Sequence, residues 1–308
     1  HKIIFMPAKK KTAKKPTAKK PTAKKTIRRS KPGPKGHELR SVVDIERQKM
    51  PLMGATIVTD FQESLATGQM VGMILSHHAA TNVHVITDDI DPFNIIEGGF
   101  AIREVVRYYP TPYVHIGVID PGVGTDRNSV AIRLKHQKTG GNVYLIGPDN
   151  GLFYPTMLEN EVTGVVTLRA EEGPSSTFHG RDVFARHAGR LVAGMPFEKL
   201  GEKMDPDNLI DLDVSPNTFV HRDGFGNLKS LIHSLEGLEI GKKYILQVPT
   251  GVYEFTMVRT FDDVDHGTLV GYMGSWGTLE IAVVQGDAAK TIGARAGDQF
   301  WINLSEKL

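Results

Sequence analysis

Three short segments of the sequence carry residue types that can do acid–base chemistry. In Asp120-Pro-Gly-Val-Gly-Thr-Asp-Arg127, a carboxylate precedes a glycine-rich turn that can return a guanidinium toward it. In Thr177-Phe-His-Gly-Arg-Asp182, the imidazole of His179 stands directly before Gly180 and the predicted start of a helix. The third segment, Asp223-Gly-Phe-Gly-Asn227, is typical of a turn. Taken singly, each also fits a purely structural role, so these residues alone leave catalysis and structure both open.

Two other kinds of site are disfavoured by the same residues. Gly122 and Gly124 lack the third glycine and the helix start of a dinucleotide-binding fingerprint. His77 and His78 precede an aspartate-rich stretch, but adjacent residues point apart on a helix. Because metal ions need closely placed ligands, the sequence predicts no metal site.

The elements around these segments alternate between strand and helix. Apolar runs predict strands at 55–59, 83–87, 113–119, 129–134 and 143–146. Apolar residues at helical spacing mark 68–80, 95–109 and 181–195. This alternation predicts an α/β fold with a mainly parallel sheet flanked by helices. Ligands of such sheets bind at the carboxyl ends of strands, which is where Asp60 and Asp120 fall.

A different pattern begins near Pro206. Short β-like runs at 219–221, 243–248, 251–259, 268–272, 279–284 and 299–304 are separated by Gly and Asp turns. They predict a second, smaller, all-β domain. We therefore divide the chain into a tail and linker at 1–50, an α/β domain at 51–205 and a β domain at 206–308.

The start of the chain differs in charge from the rest. Residues 1–36 hold 14 Lys and Arg and no Asp or Glu, and Thr-Ala-Lys-Lys occurs in them three times with a period of five residues. With little apolar surface to bury, this tail is predicted to be disordered, and it resembles the tails of histone-like proteins. Residues 8–35 are either an arm that contacts nucleic acid or another polyanion, or a solubilising appendage. Met6 is a candidate start, so residues 1–5 stay unassigned.

The body of the protein is acidic. Residues 37–308 hold 23 basic and 35 acidic residues, a net charge of −12, which argues against a basic nucleic-acid-binding fold. The chain has no cysteine, so disulfides, thiolate metal sites and a cysteine nucleophile are excluded, and a cytoplasmic location is expected. No run reaches the roughly 18 apolar residues of a membrane span, so membrane insertion is not expected.

Six segments that follow one another in a fixed order identify a protein family more specifically than any single segment does. They are Thr59-Asp-Phe61, Val118-Ile-Asp-Pro-Gly-Val-Gly-Thr-Asp-Arg127, Pro148-Asp-Asn-Gly-Leu152, Ser176-Thr-Phe-His-Gly-Arg-Asp182, Asp223-Gly-Phe-Gly-Asn-Leu228 and Gly274-Ser-Trp-Gly-Thr-Leu-Glu-Ile-Ala-Val283. Together they resemble the S-adenosyl-L-methionine hydroxide adenosyltransferases, the hydrolytic relatives of fluorinase and chlorinase. The likeness covers residues 55–304.

That resemblance implies an activity and a site. Water would attack the ribose C5′ of S-adenosyl-L-methionine and release adenosine and L-methionine, without a metal or cofactor. The family's catalytic triad falls on Asp120, Arg127 and His179. Substrate binding is implied for Asp60, Phe93, Gly180, Asp223, Asn227, Phe261, Ser275, Trp276, Glu280 and Val283. The family also implies a β-barrel-like second domain and a homotrimer with active sites between subunits.

Two positions depart from the family pattern. Gln62 stands where a glycine is usual, and Leu65 stands where a carboxylate usually meets the methionine ammonium. Leu65 keeps open the alternative of a non-catalytic protein that binds adenosine or S-adenosyl-L-methionine. A halogenase of the same fold is a second alternative. Its members carry Ser at the position of Gly180 and Tyr at that of Asp120, so these two residues favour water as the nucleophile.

Overall fold

The computed structural model of the protein describes residues 54–169 and 178–305. The predicted disordered tail and linker, residues 1–50, lie outside the described residues, as do Ser176 and Thr177 of the second motif.

The first sheet has seven strands in the order β2-β1-β3-β5-β4-β6-β7. Its strands are β1 (Gly54–Thr59), β2 (Asn82–Thr87), β3 (Tyr113–Val118), β4 (Ser129–Lys135), β5 (Asn142–Pro148), β6 (Glu161–Leu168) and β7 (Gly201–Lys203). Strands β2, β1, β3 and β5 are parallel, whereas β4, β6 and β7 join antiparallel. The predicted α/β class is confirmed, with the parallel strands at one side of a mixed sheet.

Helices cover both faces of this sheet. They are α1 (Ser64–His77), α2 (Ile95–Tyr108), the short α3 (Tyr154–Met157) and α4 (Arg186–Val192), which continues a π-helical segment at Gly180–Ala185. Ile57 of β1 packs in one core with α1 and α4, and the next residue, Val58, packs in the other core with α2. Successive strand residues point to opposite faces, so β1 and β3 are buried along their whole length.

The second sheet also has seven strands, in the order β14-β10-β11-β12-β13-β9-β8. These are β8 (His221–Arg222), β9 (Leu228–Lys229), β10 (Lys243–Val248), β11 (Gly251–Met257), β12 (Leu269–Met273), β13 (Leu279–Val283) and β14 (Trp301–Leu304), with helix α5 at Ala288–Ile292. A bridge between Thr218 and Gln299 links the segments that precede its two edge strands. This arrangement is compatible with a barrel.

The described residues, 54–169 and 178–305, belong to one compact unit by their contacts. The first sheet ends at Lys203 and the second begins at His221. The predicted boundary at residue 206 falls between them and stays a prediction. Of the helices in the described part of the chain, none is long and apolar enough to cross a membrane.

Candidate active site

A cavity opens at the carboxyl end of the parallel strands. Asp60 follows β1 and Asp120 follows β3, and these two strands pair directly, so both carboxylates reach the same edge of the sheet. The cavity has a volume of about 220 Å³. Its lining residues are Asp60, Phe61, Pro92, Phe93, Val118, Asp120, Val123, Phe178, His179 and Gly180.

Arg127 joins the other two members of the predicted triad. Its Nε donates to Asp120 Oδ1 at 2.9 Å, and its Nη2 donates to Asp120 Oδ2. The same Nη2 lies 3.0 Å from His179 Nδ1. Arg127 therefore contacts both of the other residues predicted to be catalytic, although His179 lies 52 residues beyond it in the sequence.

The guanidinium of Arg127 is held in one orientation. Its Nη1 donates to Ser129 Oγ at 2.7 Å and to the Asn128 carbonyl at 3.2 Å, so all of its N–H groups point at acceptors. A guanidinium only donates, so His179 Nδ1 accepts, and the neutral imidazole carries its proton on Nε2. Arg127 thereby fixes both the position and the tautomer of His179.

The strand end that carries Asp120 is supported from the next strand. Asn150 Nδ2 donates to the Ile119 carbonyl at 2.9 Å. The neighbouring Asp149 accepts the backbone N–H of Ile210 at 2.9 Å. These contacts explain the Pro148–Leu152 motif as a support for the site rather than a part of its surface.

Asp60 also lines the cavity. Its Oδ2 accepts the backbone N–H of Phe93 at 2.7 Å. Burial raises the pKa of Asp60, the Phe93 N–H opposes this rise, and the nearby negative charge of Asp120 adds to it. The Phe93 ring is 68% exposed at the rim of the cavity, where a planar ligand can pack against it.

A side chain at Gly180 would crowd the cavity wall, whose side chains would have to shift by a few tenths of an ångström to accept it. A Cβ at this position would lie 3.1 Å from the rings of Phe61 and Phe178 and 3.3 Å from the sulfur of Met70. Gly180 also begins the π-helical segment that follows His179. Such segments are frequent at functional sites because they shift side chains out of the regular helical register.

The remaining predicted residues form a second group on the other sheet. Asp223 and Asn227 lie in the β8–β9 loop. Asp223 accepts the backbone N–H groups of Phe225 and Asn227 at 3.0 Å each and Asn227 Nδ2 at 3.1 Å. The turn interpretation of this motif is therefore correct for its local contacts, while the Asp223 side chain keeps 23% of its surface exposed.

Trp276, Glu280 and their neighbours make up the rest of the second group. The Trp276 ring stacks on His221 with ring centres 5.3 Å apart, and Phe261 meets the Tyr272 ring edge-on at 5.0 Å. Ser275 is exposed, whereas Glu280 and Val283 are buried in β13. Glu280 accepts from Lys229 Nζ at 2.8 Å and from the Tyr272 hydroxyl at 2.7 Å.

The two groups are separate within one chain. Among the described residues, the cavity is lined by Asp60, Phe93, Asp120, His179 and Gly180 of the predicted set and by no member of the second group. Reasoning from the sequence also missed Phe61 and Phe178, which wall the cavity, and Lys229 and Tyr272, which hold Glu280. Phe61 and Phe178 stand inside the motifs, so their place there was the available signal.

The two departures from the family pattern have different structural settings. Gln62 has φ of 52°, in the left-handed region where glycine carries no steric penalty, which accounts for a usual glycine there. Leu65 lies in the first turn of α1 and is 66% exposed. Within residues 54–169 and 178–305, no three His, Asp or Glu side chains are grouped so as to hold a metal ion.

Comparison with family models covers both sheets. Residues 55–201 match the N-terminal domain of the SAM hydroxide adenosyltransferases, and residues 218–301 match the C-terminal domain of the same family.

Relatives and solved structures agree with these matches. The (R)-S-adenosyl-L-methionine hydrolase of Salinispora arenicola is 34% identical over 70% of this chain and 84% of the relative. The hydrolase of the same name from Methanocaldococcus jannaschii is 33% identical over 61% and 69%. A fluorinase of Nocardia brasiliensis is 27% identical over 75% and 90%. The crystal structure of an uncharacterized conserved protein from Thermotoga maritima has a TM-score of 0.72 at 26% identity, covering 81% of this chain and all of that one.

Proposed function

The chain belongs to the family of SAM hydroxide adenosyltransferases, and we propose that the contact of Arg127 with Asp120 and His179 activates the water that cleaves the substrate. The enzyme hydrolyses S-adenosyl-L-methionine to adenosine and L-methionine. The observation that carries the assignment of the site is that Asp120 and His179, which Arg127 joins, both line the cavity that also holds Asp60.

For this reaction the protein has to hold a water in position and stabilise the charge that develops on it. The sulfonium makes C5′ electrophilic and leaves as a neutral thioether, so no acid is needed for the leaving group. A water held in line behind C5′ gains reactivity from its fixed orientation and from partial removal of its proton. S-adenosyl-L-methionine is the substrate, and this attack requires no further cofactor.

Within the triad, Asp120 is the residue we assign as the proton acceptor. Nδ1 of His179 is already used as an acceptor of the Arg127 hydrogen bond. A carboxylate has about four lone-pair sites, so Asp120 can accept from a water while it keeps both contacts with Arg127. The positive charge of Arg127 stabilises the hydroxide character that develops on that water.

We also propose that the complete site forms between copies of the chain. The cavity of about 220 Å³ is smaller than the roughly 300–1,000 Å³ of pockets that enclose drug-sized ligands. The second group of predicted residues, which includes Asp223 and Trp276, does not line it. A homotrimer in which one subunit supplies the cavity and its neighbour supplies the second group would enclose the whole substrate. A cytoplasmic location stays a prediction.

The experiment that tests the function identifies products and the origin of their oxygen. The purified full chain is incubated with S-adenosyl-L-methionine and a chelator in ¹⁸O-labelled water. The products are separated by chromatography, and their masses are measured by mass spectrometry. We expect equal amounts of adenosine and methionine, with the label in the adenosine 5′-hydroxyl. Methylthioadenosine, a halogenated adenosine or unlabelled adenosine as the product would contradict the proposal.

The same assay on two variants separates an enzyme from a binding protein. His179→Ala is expected to lower kcat by about 10²–10³-fold while substrate affinity changes little, since His179 belongs to the network that orients the attacking water and the lost interaction is made in the transition state. Asp60→Ala is expected to act mainly through weaker binding, because its carboxylate contacts the ribose throughout. The exposed His84→Ala serves as the matched control. A folded His179→Ala protein with parental kcat and only a lower Tm would show that His179 is structural.

A further inference from the structure

Lys229 is a buried cation that the sequence did not single out. It lies in β9, directly opposite Glu280 of β13, and is 7% exposed. Lysine is almost never buried to this extent unless its ammonium is paired. Its Nζ donates to Glu280 Oε1 at 2.8 Å and lies 3.6 Å from Asp223 Oδ2.

Three residues of the second group meet at this ammonium. Besides Glu280 and Asp223, the ring of Trp276 has its centre 5.5 Å from Lys229 Nζ, within the range of a cation–π interaction. No other lysine among the described residues contacts more than one residue of the predicted substrate site. Lys229 is therefore placed to set the distance between the β8–β9 loop and the turn that carries Ser275 and Trp276.

Glu280 carries the effect of Lys229 to that turn. Its second oxygen, Oε2, accepts from the Tyr272 hydroxyl at 2.7 Å, so both oxygens are held. The carboxylate lies against the backbone of Gly274, where an added Cβ would come within 1.9 Å of Oε1. A shift of the Glu280 carboxylate would therefore press on the turn at Gly274, immediately before Ser275 and Trp276.

The charges at this place also favour a cationic ligand. Lys229 with Asp223 and Glu280 leaves one net negative charge, while the substrate carries positive charge on its sulfonium and its ammonium. Without Lys229, two carboxylates of like charge would remain, one of them buried and unpaired. Each would move toward water or take up a proton, and the alignment of the loop and turn would be lost.

We propose that Lys229 is a positioning residue for substrate binding. Through its contacts with Glu280 and the indole ring, it keeps Asp223 and Trp276 at a fixed distance from each other. The proposal rests on the proposed function. It predicts an effect on binding rather than on the chemical step, since Lys229 contacts no residue of the Asp120, Arg127 and His179 triad.

The test compares steady-state kinetics of the full chain with those of Lys229→Met, using S-adenosyl-L-methionine as the ligand. We expect KM to rise by about tenfold or more and kcat to stay within about twofold, the pattern of an interaction present in ground and transition states alike. A double variant, Lys229→Met with Glu280→Gln, removes the unpaired buried charge and is compared with Glu280→Gln alone, since Glu280 is itself a predicted substrate-binding residue. We expect the KM of the double variant to exceed that of the single variant. This second variant decides the question if Lys229→Met fails to fold.

The matched control is Lys243→Met, which removes an exposed lysine from the same sheet. Lys243 pairs with Glu254 at 2.6 Å, and both side chains are about half exposed. Its removal is expected to leave KM and kcat unchanged. A folded double variant with the same KM as Glu280→Gln alone would overturn the proposal, as would a fall in kcat at constant KM. Absence of turnover by the parent chain would instead overturn the proposed function, and the role of Lys229 with it.

Discussion

At the scale of single residues, His115 shows how far the sheet interior is shielded from water. It is 2% exposed in the middle of β3, and its Nδ1 lies 2.8 Å from Thr56 Oγ1 of the neighbouring strand β1. Burial lowers the pKa of His115 to about 3, and the positive charge that His136 can carry contributes in the same direction. The imidazole is therefore neutral in the folded protein at any pH above about 3.

This burial makes the stability of the protein dependent on pH in one direction. The unfolded chain binds a proton at His115 below its ordinary pKa of 6.5, and the folded chain does not until about 3. The contribution of His115 is complete above pH 6.5 and is lost as the pH falls toward 3, by about 1.4 kcal/mol per pH unit.

The variant His115→Gln can keep a hydrogen bond with Thr56 but does not titrate. We expect a shallower fall in its free energy of unfolding between pH 6.5 and 4.5, measured by urea titration at each pH. His84→Gln, which changes an exposed histidine on strand β2 of the same sheet, is the control and is expected to keep the parental slope. Parallel stability profiles for His115→Gln and the parent would contradict the prediction.

The contacts of individual residues were only partly predictable. Asp120, Arg127 and His179 could be brought together because each stands in a recognisable motif, although their distances could not be read from the sequence. Lys229 could not be found in this way. Its partner Glu280 lies 51 residues away, and the two meet only because β9 pairs with β13 in one particular register. Nothing in the local sequence around Lys229 specifies that register.

At the scale of elements, the long apolar strands were predicted well, whereas partly exposed and very short strands were not. The predicted strand at 243–248 agrees with β10, and that at 113–119 differs from β3 by one residue. Strand β6 was not predicted, because Gly164 interrupts its apolar pattern and its first half is partly exposed. Strands β8 and β9, with two residues each, are too short to show any periodicity.

Strand direction and helix type also could not be predicted from the sequence. Alternation of strands and helices favours parallel pairing, but β4 lies between β5 and β6 and runs antiparallel to both. A hairpin joins β4 to β5 without a helix, and this explains the change of direction. The segment after His179 was expected to be helical, and its first six residues are π-helical. Six residues are too few for the apolar pattern to distinguish a π-helix from an α-helix.

At the scale of the whole molecule, the charge of the chain is divided between its two parts. The first 36 residues contribute 14 positive charges and no negative ones, and residues 37–308 have a net charge of −12. We propose that this basic segment contacts nucleic acid or another polyanion. Removing residues 1–36 is expected to leave hydrolysis unchanged and to abolish binding to a DNA duplex.

Binding to DNA by the full chain should weaken steeply between about 50 and 200 mM salt, because neutralised phosphates release their counterions. Fluorescence anisotropy of a labelled duplex at the two salt concentrations measures this dependence. Equal DNA affinity of the full and shortened chains would show that the acidic body, and not the tail, makes the contact. Binding that does not respond to salt would exclude the electrostatic origin.

The separation of the two groups of site residues predicts complementation between damaged subunits. In a trimer with shared sites, Asp120→Asn disables the cavity of its own subunit and leaves the second group intact. Asp223→Asn does the reverse, and its amide oxygen can keep the backbone contacts of the loop. Each variant alone is expected to be inactive or severely impaired. Co-expression of the two under different affinity tags yields mixed oligomers in which some sites combine an intact cavity with an intact second group.

In a tandem-purified trimer that contains both variants, one of the three sites combines an intact cavity with an intact second group, so about a third of parental activity should return. The control pairs Asp120→Asn with His179→Ala. Both changes lie in the cavity, so no arrangement of these subunits restores a site, and activity should stay at the level of the single variants. Light scattering of the tandem-purified sample establishes that mixed oligomers were assayed. Recovery in the first pair and not in the second requires that each site draws on two subunits, whereas mixed trimers without recovery would place both groups of residues in the site of a single chain.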